Sequence, residues 1–264
     1  MNPTNSSTID RTTPQQSGER HATSRKHLAI ATLVTVALWF VPYSNFLLYP
    51  LRLFITFIHE SGHALASVLI GGRVDSLQVF KNGEGLTYSR VPPALGWVMI
   101  CSGYLGTALF GAITLHIGRI KAFRSPGRIA LYVMAISVWT VTALWGFHPL
   151  TDVFTIGAGA VLGAGLFALA KYLPAKAADF ATAFLAIQCS LNALGDIRIL
   201  LYLTSNGDSH NHNDAMTMAS MTGLPGTFWA ATWALTALAM LFVSLKWYLR
   251  ATKQGAEPQK ALAQ

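Results

Sequence analysis

The chain has 264 residues, of which 52% are hydrophobic and only 11% charged. Soluble globular domains carry about 25% charged residues, so this composition excludes water as the main solvent of the folded chain. A net charge of +8 does not point to nucleic acid, because the basic residues flank apolar runs, as at Arg119, Lys121, Arg124 and Arg128, where they anchor helix ends at a membrane surface.

In chain order, residues 1–26 are rich in Ser, Thr, Asn, Gln and Arg and read as a disordered polar tail, not a cleaved signal. A helix needs about 20 mostly apolar residues to cross a bilayer. Stretches 27–43, 47–70, 95–118, 128–148, 152–171, 177–204 and 225–248 qualify or come close. The expected fold is therefore an all-α polytopic membrane protein with six to seven transmembrane helices, embedded over 27–250 and followed by a short tail at 251–264. Such a chain is integral and multi-pass in a lipid bilayer.

Pro42 to Asn45 make a turn after the first span, and Gly71 and Gly72 stop the second. The polar stretch "RVDSLQVFKNGEGLTYSRVPP" follows. Its alternation around Asn82-Gly83 predicts an antiparallel β-hairpin over 73–92, close to the preceding helix. Gly103, Thr107 and Gly111 in the third span, and Gly159 and Gly163 in the fifth, sit four residues apart. Such rows let membrane helices approach closely, and packing without chemistry is the expectation for both. Cys101 and Cys189 fall inside apolar runs and read as buried thiols. Trp229, Trp233 and Trp247 bracket the last span as interfacial or packing aromatics. The Lys and Arg distribution leans towards a cytoplasmic C-terminus, but the basic N-terminal tail then falls on the opposite side, so orientation stays open.

One segment conflicts with its surroundings. "FITFIHESGHALASVLIGG" reads as an apolar helix, yet His59, Glu60 and His63 stand in its middle. Residues four apart share a helix face, so His59 and His63 can hold one Zn2+. Glu60, three before His63, lies on nearly the same side, where it can take a proton from water and later deliver it to a leaving amine. A carboxylate at the centre of a membrane helix costs about 2.5–3.5 kcal/mol, and a bound metal offsets that cost.

Catalytic zinc normally has three protein ligands and an open position. Asp152 and Asp179 lie near span ends, whereas Asp196 in "CSLNALGDIRILLYL" lies well inside one. Asp214 competes from the loop "SNGDSHNHNDA", where His210 and His212 also invite a metal reading, although such a polar cluster is more often a solvated loop. Helix depth favours Asp196. His63 and Asp196 each lie seven residues before the expected ends of their spans, Ile70 and Leu203, which places both about 10 Å inside the same face.

"FIHESGHALASVLIGGRV" resembles the signature of the site-2 protease family of intramembrane zinc metallopeptidases, in its bacterial peptidase M50B-like branch. The likeness continues through "CSGYLGTALFGA", "LNALGDIRILLYL" and "NDAMTMASMTGLPGTFWAATW", over roughly residues 50 to 245. It implies that His59 and His63 bind zinc, that Glu60 is general base and acid, and that an intramembrane aspartate, Asp196, completes the ligand set. It also implies that Asn192 contacts substrate backbone, although an interhelical hydrogen bond explains that residue equally well. The family's Asp-Gly is absent, since Ile197 follows Asp196 and no proline is near.

The function expected is a membrane-embedded zinc endopeptidase of a bacterial inner membrane, acting on a transmembrane segment or membrane-bound peptide of another protein. The rival is a non-proteolytic transporter or metal-handling protein using the same His/Glu/Asp cluster.

Overall fold

The computed structural model describes residues 30, 33, 48–118, 120, 123, 125–147, 152–206 and 213–253, with only the helical backbone given for 192–206 and 248–253. The N-terminal tail, nearly all of the expected first span with the turn after it, residues 254–264 of the C-terminal tail, and the pair His210 and His212 lie outside these residues.

Helix α1 (Tyr49–Leu69) carries Pro50 in its first turn, where the missing N–H costs nothing. Gly71 ends it in the left-handed region at φ 80°, a backbone conformation that side chains with a Cβ disfavour. Strands β1 (Arg73–Val79) and β2 (Gly85–Arg90) then pair antiparallel, as the alternation predicts, with an irregularity between Val74 and Ser76. At the hairpin tip Gly83 has φ 83°, and the Phe80 N–H bonds the Glu84 carbonyl at 2.8 Å.

A short turn (Pro93–Leu95) leads into α2 (Gly96–Ile117). Helix α3 (Pro126–Trp145) opens on a proline, and α4 (Val153–Tyr172) is capped by the Asp152 carboxylate, which accepts from the Phe154 N–H. Helix α5 (Ala175–Asn206), at 32 residues, is the longest among the described residues. Helix α6 (Asp214–Thr222) has Asn213 as its cap, the side chain accepting from the Met216 N–H at 3.0 Å. It turns at Gly223 into α7 (Gly226–Lys253).

Among the described residues, four helices are long and apolar enough to cross a membrane: Pro93–Ile117, Pro126–Trp145, Val153–Tyr172 and Gly226–Trp247. Helix α1 is not among them. It carries Arg52, His59, Glu60 and His63 and spends one face on the hairpin.

That face explains the polar residues of α1. The Tyr49 hydroxyl donates to the Lys81 carbonyl at 2.8 Å, and Thr56 donates to the Gly83 carbonyl at 2.8 Å. Thr87 donates to the Glu60 carboxylate at 2.8 Å, and the Ser67 and Ser89 hydroxyls are 3.0 Å apart. Positions 49, 56, 60 and 67 fall within about 20° of one line along a helix of 3.6 residues per turn. The hairpin is therefore bonded along a single stripe of α1.

Among the described residues, buried side chains form three groups. One joins α1, β1, α3 and α4 around Phe57, Leu77, Leu131 and Met134. A second joins α2, α6 and α7 around Tyr104, Met218 and Trp233, and a third joins α2, α5 and α7. The histidine pair lies on α1 where the first group meets the second.

Candidate metal centre

The helical spacing of His59 and His63 brings their Nε2 atoms to 3.1 Å from each other. The Asp214 Oδ2 lies 3.0 Å from His59 Nε2 and 3.1 Å from His63 Nε2. The three donors thus form a nearly equilateral triangle. In a tetrahedral zinc site with metal–ligand distances of 2.0–2.1 Å, donors stand about 3.3 Å apart, within a few tenths of what is seen. Among the described residues this is the one group of three or more His, Cys, Asp or Glu side chains whose ligand atoms converge, all within 4.8 Å.

Further features fit the residues to a metal. The His63 Nδ1 lies 2.7 Å from the Met99 carbonyl oxygen. A carbonyl only accepts, so Nδ1 carries the proton and Nε2 presents its lone pair to the cluster. Space is reserved as well. A Cβ added at Gly103 of α2 would collide with His59 Nε2 and come within 2.5 Å of His63 Nε2. A Cβ at Gly62 on the facing side of α1 would collide with the Ser102 carbonyl oxygen. Small residues let α1 and α2 close, and one of them lies directly beneath the donor atoms.

Glu60 is 5% exposed, a carboxylate buried beside the histidines. Its Oε2 accepts from Thr87, whose hydroxyl also lies 3.1 Å from the Glu60 carbonyl oxygen. A Cβ at Gly85 would come within 2.6 Å of the Glu60 Oε1. The Glu60 side chain is therefore held against Gly85 and Thr87 of β2.

Asp214 reaches the histidines from the first turn of α6, a defined helix start held by Asn213 and not a loose loop. Burial by itself would raise its pKa. The neighbouring His63 and His59 outweigh burial and hold the carboxyl well below the usual carboxylate range.

The residues named from the sequence are thus distributed as follows. His59, Glu60 and His63 share one site. Asp196 and Asn192 lie on α5 in the part described by backbone alone, and the aspartate brought to the histidines is Asp214. Asp152 caps α4, and Asp179 accepts from the Gly127 N–H at 3.2 Å, so both work at helix ends. Gly103, expected to serve packing alone, also shapes the site. Sequence reasoning missed Gly85, Thr87 and Tyr104. Thr87 was signalled by its inward place in the alternation of β2, and Asp214 by Asn213, a strong N-cap residue immediately before it.

A family model described as Peptidase M50B-like matches residues 29–244 of the chain. No curated protein matches it, and neither does any solved structure.

Proposed function

The chain belongs to the Peptidase M50B-like family, membrane metallopeptidases of the site-2 protease kind, and on that premise we propose that it is a zinc-dependent endopeptidase cleaving peptide bonds in or near a bacterial inner membrane. The observation that carries this reading is the triangle of His59, His63 and Asp214 with Glu60 alongside.

His59, His63 and Asp214 would hold Zn2+, which when bound supplies a Lewis acid to polarise the scissile carbonyl. Glu60 takes a proton from the attacking water and returns it to the leaving amine. With Oε2 engaged by Thr87, Oε1 is the oxygen free to carry that proton. The hairpin also offers a place for an extended substrate. Strand β1 is closed at Val79, whose N–H donates to the Thr155 hydroxyl at 3.0 Å. Among the described residues strand β2 pairs with β1 alone, so a segment of a membrane protein can add along its other edge. Asn192 keeps in this reading the substrate-backbone contact implied by the family resemblance.

A transporter needs ionisable groups in series through the membrane. The single converging cluster among the described residues, with a carboxylate held beside it, favours hydrolysis over transport.

The test pairs zinc content with cleavage. The purified protein should hold about one zinc per chain, His59→Ala should hold none, and a single-span test protein should be cut by the wild type alone. A wild type free of zinc, or a fully loaded His59→Ala variant, overturns the reading.

A further inference from the structure

The two histidines are fixed in different ways. His63 has the Met99 carbonyl behind its Nδ1. Among the residues whose side chains are described, no acceptor is bonded to the Nδ1 of His59. Its ring instead meets Tyr104 edge to face, with centroids 4.5 Å apart and planes at 76°. Tyr104 is itself stacked on Trp233, with centroids 5.1 Å apart and planes at 19°. Trp233 is 3% exposed and packs in one buried group with Tyr104, Ala215 and Met218. The last two belong to α6, the helix that begins with Asp214. Helix α6 is tied to α7 a second time, because the Trp229 indole N–H donates to the Thr222 hydroxyl at 3.0 Å.

We infer that Tyr104, supported by Trp233, is the positioning residue of the metal centre, setting the His59 ring and the Asp214 helix against one common aromatic surface. This rests on the reading of His59, His63 and Asp214 as metal ligands. The physical argument is one of freedom. An imidazole with no hydrogen bond at its outer nitrogen turns about χ2, a broad two-fold torsion, unless a neighbouring surface stops it. An aromatic edge against a ring face is a favoured contact, and the stack on Trp233 keeps Tyr104 from turning in its place. Because Ala215 packs into the same group one residue after Asp214, a shift of the Tyr104–Trp233 pair moves two of the three donors relative to the third. The ring of Tyr104 performs this role, and its hydroxyl is dispensable.

The test measures Zn2+ affinity of the full-length purified protein by competition with a chelator, together with the visible spectrum of the Co2+-loaded form, which reports donor geometry. Neighbours that orient a metal ligand typically contribute 10–100-fold in affinity, and Tyr104→Leu should weaken Zn2+ binding by about that factor and alter the Co2+ spectrum. Tyr104→Phe should bind as the wild type does. Met240→Ala trims the same buried group seven residues along α7 from Trp233, and should leave Zn2+ affinity unchanged even if it lowers thermal stability. Should Tyr104→Leu fail to fold, Trp233→Leu decides the matter, since it leaves Tyr104 present but unsupported and must also weaken Zn2+ binding. Wild-type affinity in the Leu variants, an equal loss in Met240→Ala, or a loss in Tyr104→Phe matching that of Tyr104→Leu overturns the inference while the metal site stands. A wild type that binds no Zn2+ overturns both.

Discussion

Thr87 and Glu60 are joined by a 2.8 Å hydrogen bond between the hairpin and the metal helix. In the proposed mechanism this link makes β2 a part of the catalytic apparatus and not merely a neighbour. A hydrogen bond to a charged group contributes about 1.5–3 kcal/mol, equivalent to roughly 10–100-fold in rate if it is felt in the transition state. Thr87→Val, which keeps the shape and removes the hydroxyl, should therefore lower kcat by about that factor with zinc content unchanged. Thr87→Ser should restore most of the rate. Equal activity in the Val and wild-type proteins, measured on a single-span test substrate, would show that the contact has no role in positioning Glu60.

Glu60→Gln keeps the size of the side chain and removes its ability to accept a proton. It should retain zinc and lose cleavage by at least about 10²–10⁴-fold. Cleavage persisting in a zinc-loaded Gln variant would remove Glu60 from the mechanism.

The third ligand is tested by comparing two aspartates. Asp214 lies 3.0 and 3.1 Å from the two Nε2 atoms, so Asp214→Ala should lose zinc. Asp196→Ala should keep it. The reverse result, by metal analysis of the purified variants, would return the ligand role to Asp196 as helix depth suggested.

Gly103→Ala adds one methyl group where the two imidazoles converge. Zinc affinity should fall by about 100-fold or more, the upper end of what changes beside a ligand usually cost. Gly111 on the same helix is the contrast. A Cβ there would come within 2.5 Å of the Ala186 carbonyl oxygen on α5, so Gly111→Ala should lower thermal stability and leave the metal affinity of the folded protein intact. Chelator competition on both variants separates the two effects.

Metal removal should also register as stability, because a ligand that binds only the folded state stabilises it by mass action. At free zinc about 1,000-fold above Kd the gain is about 4.1 kcal/mol. For a domain of this size that is roughly 8–16 °C in Tm. A chelator should abolish the difference, and His63→Ala should show none. An unchanged Tm on adding zinc to the stripped wild type would contradict a site built into the fold.

Much of this protein was legible from local pattern. The apolar runs fixed the membrane class, because a bilayer sets the length of the segments that cross it. Four-residue spacing on a helix placed His59 and His63 together and Glu60 beside them, because helix geometry relates near neighbours whatever the rest of the chain does. Alternation around Asn82-Gly83 gave the hairpin for the same short-range reason. The third donor is another matter. Asp152, Asp179, Asp196 and Asp214 are the same chemical group, and counting depth along separate spans cannot say which helices become neighbours. That choice belongs to tertiary packing. The small residues of α1 and α2 let those helices close, and Tyr104, Trp233 and Met218 dock the short α6, so that a carboxylate 151 positions beyond His63 arrives 3.1 Å from its ring. The places of Gly85, Thr87, Gly103 and Tyr104 beside the cluster were hidden for the same reason. Each serves the site through a contact between elements, and no period in the sequence records which elements touch.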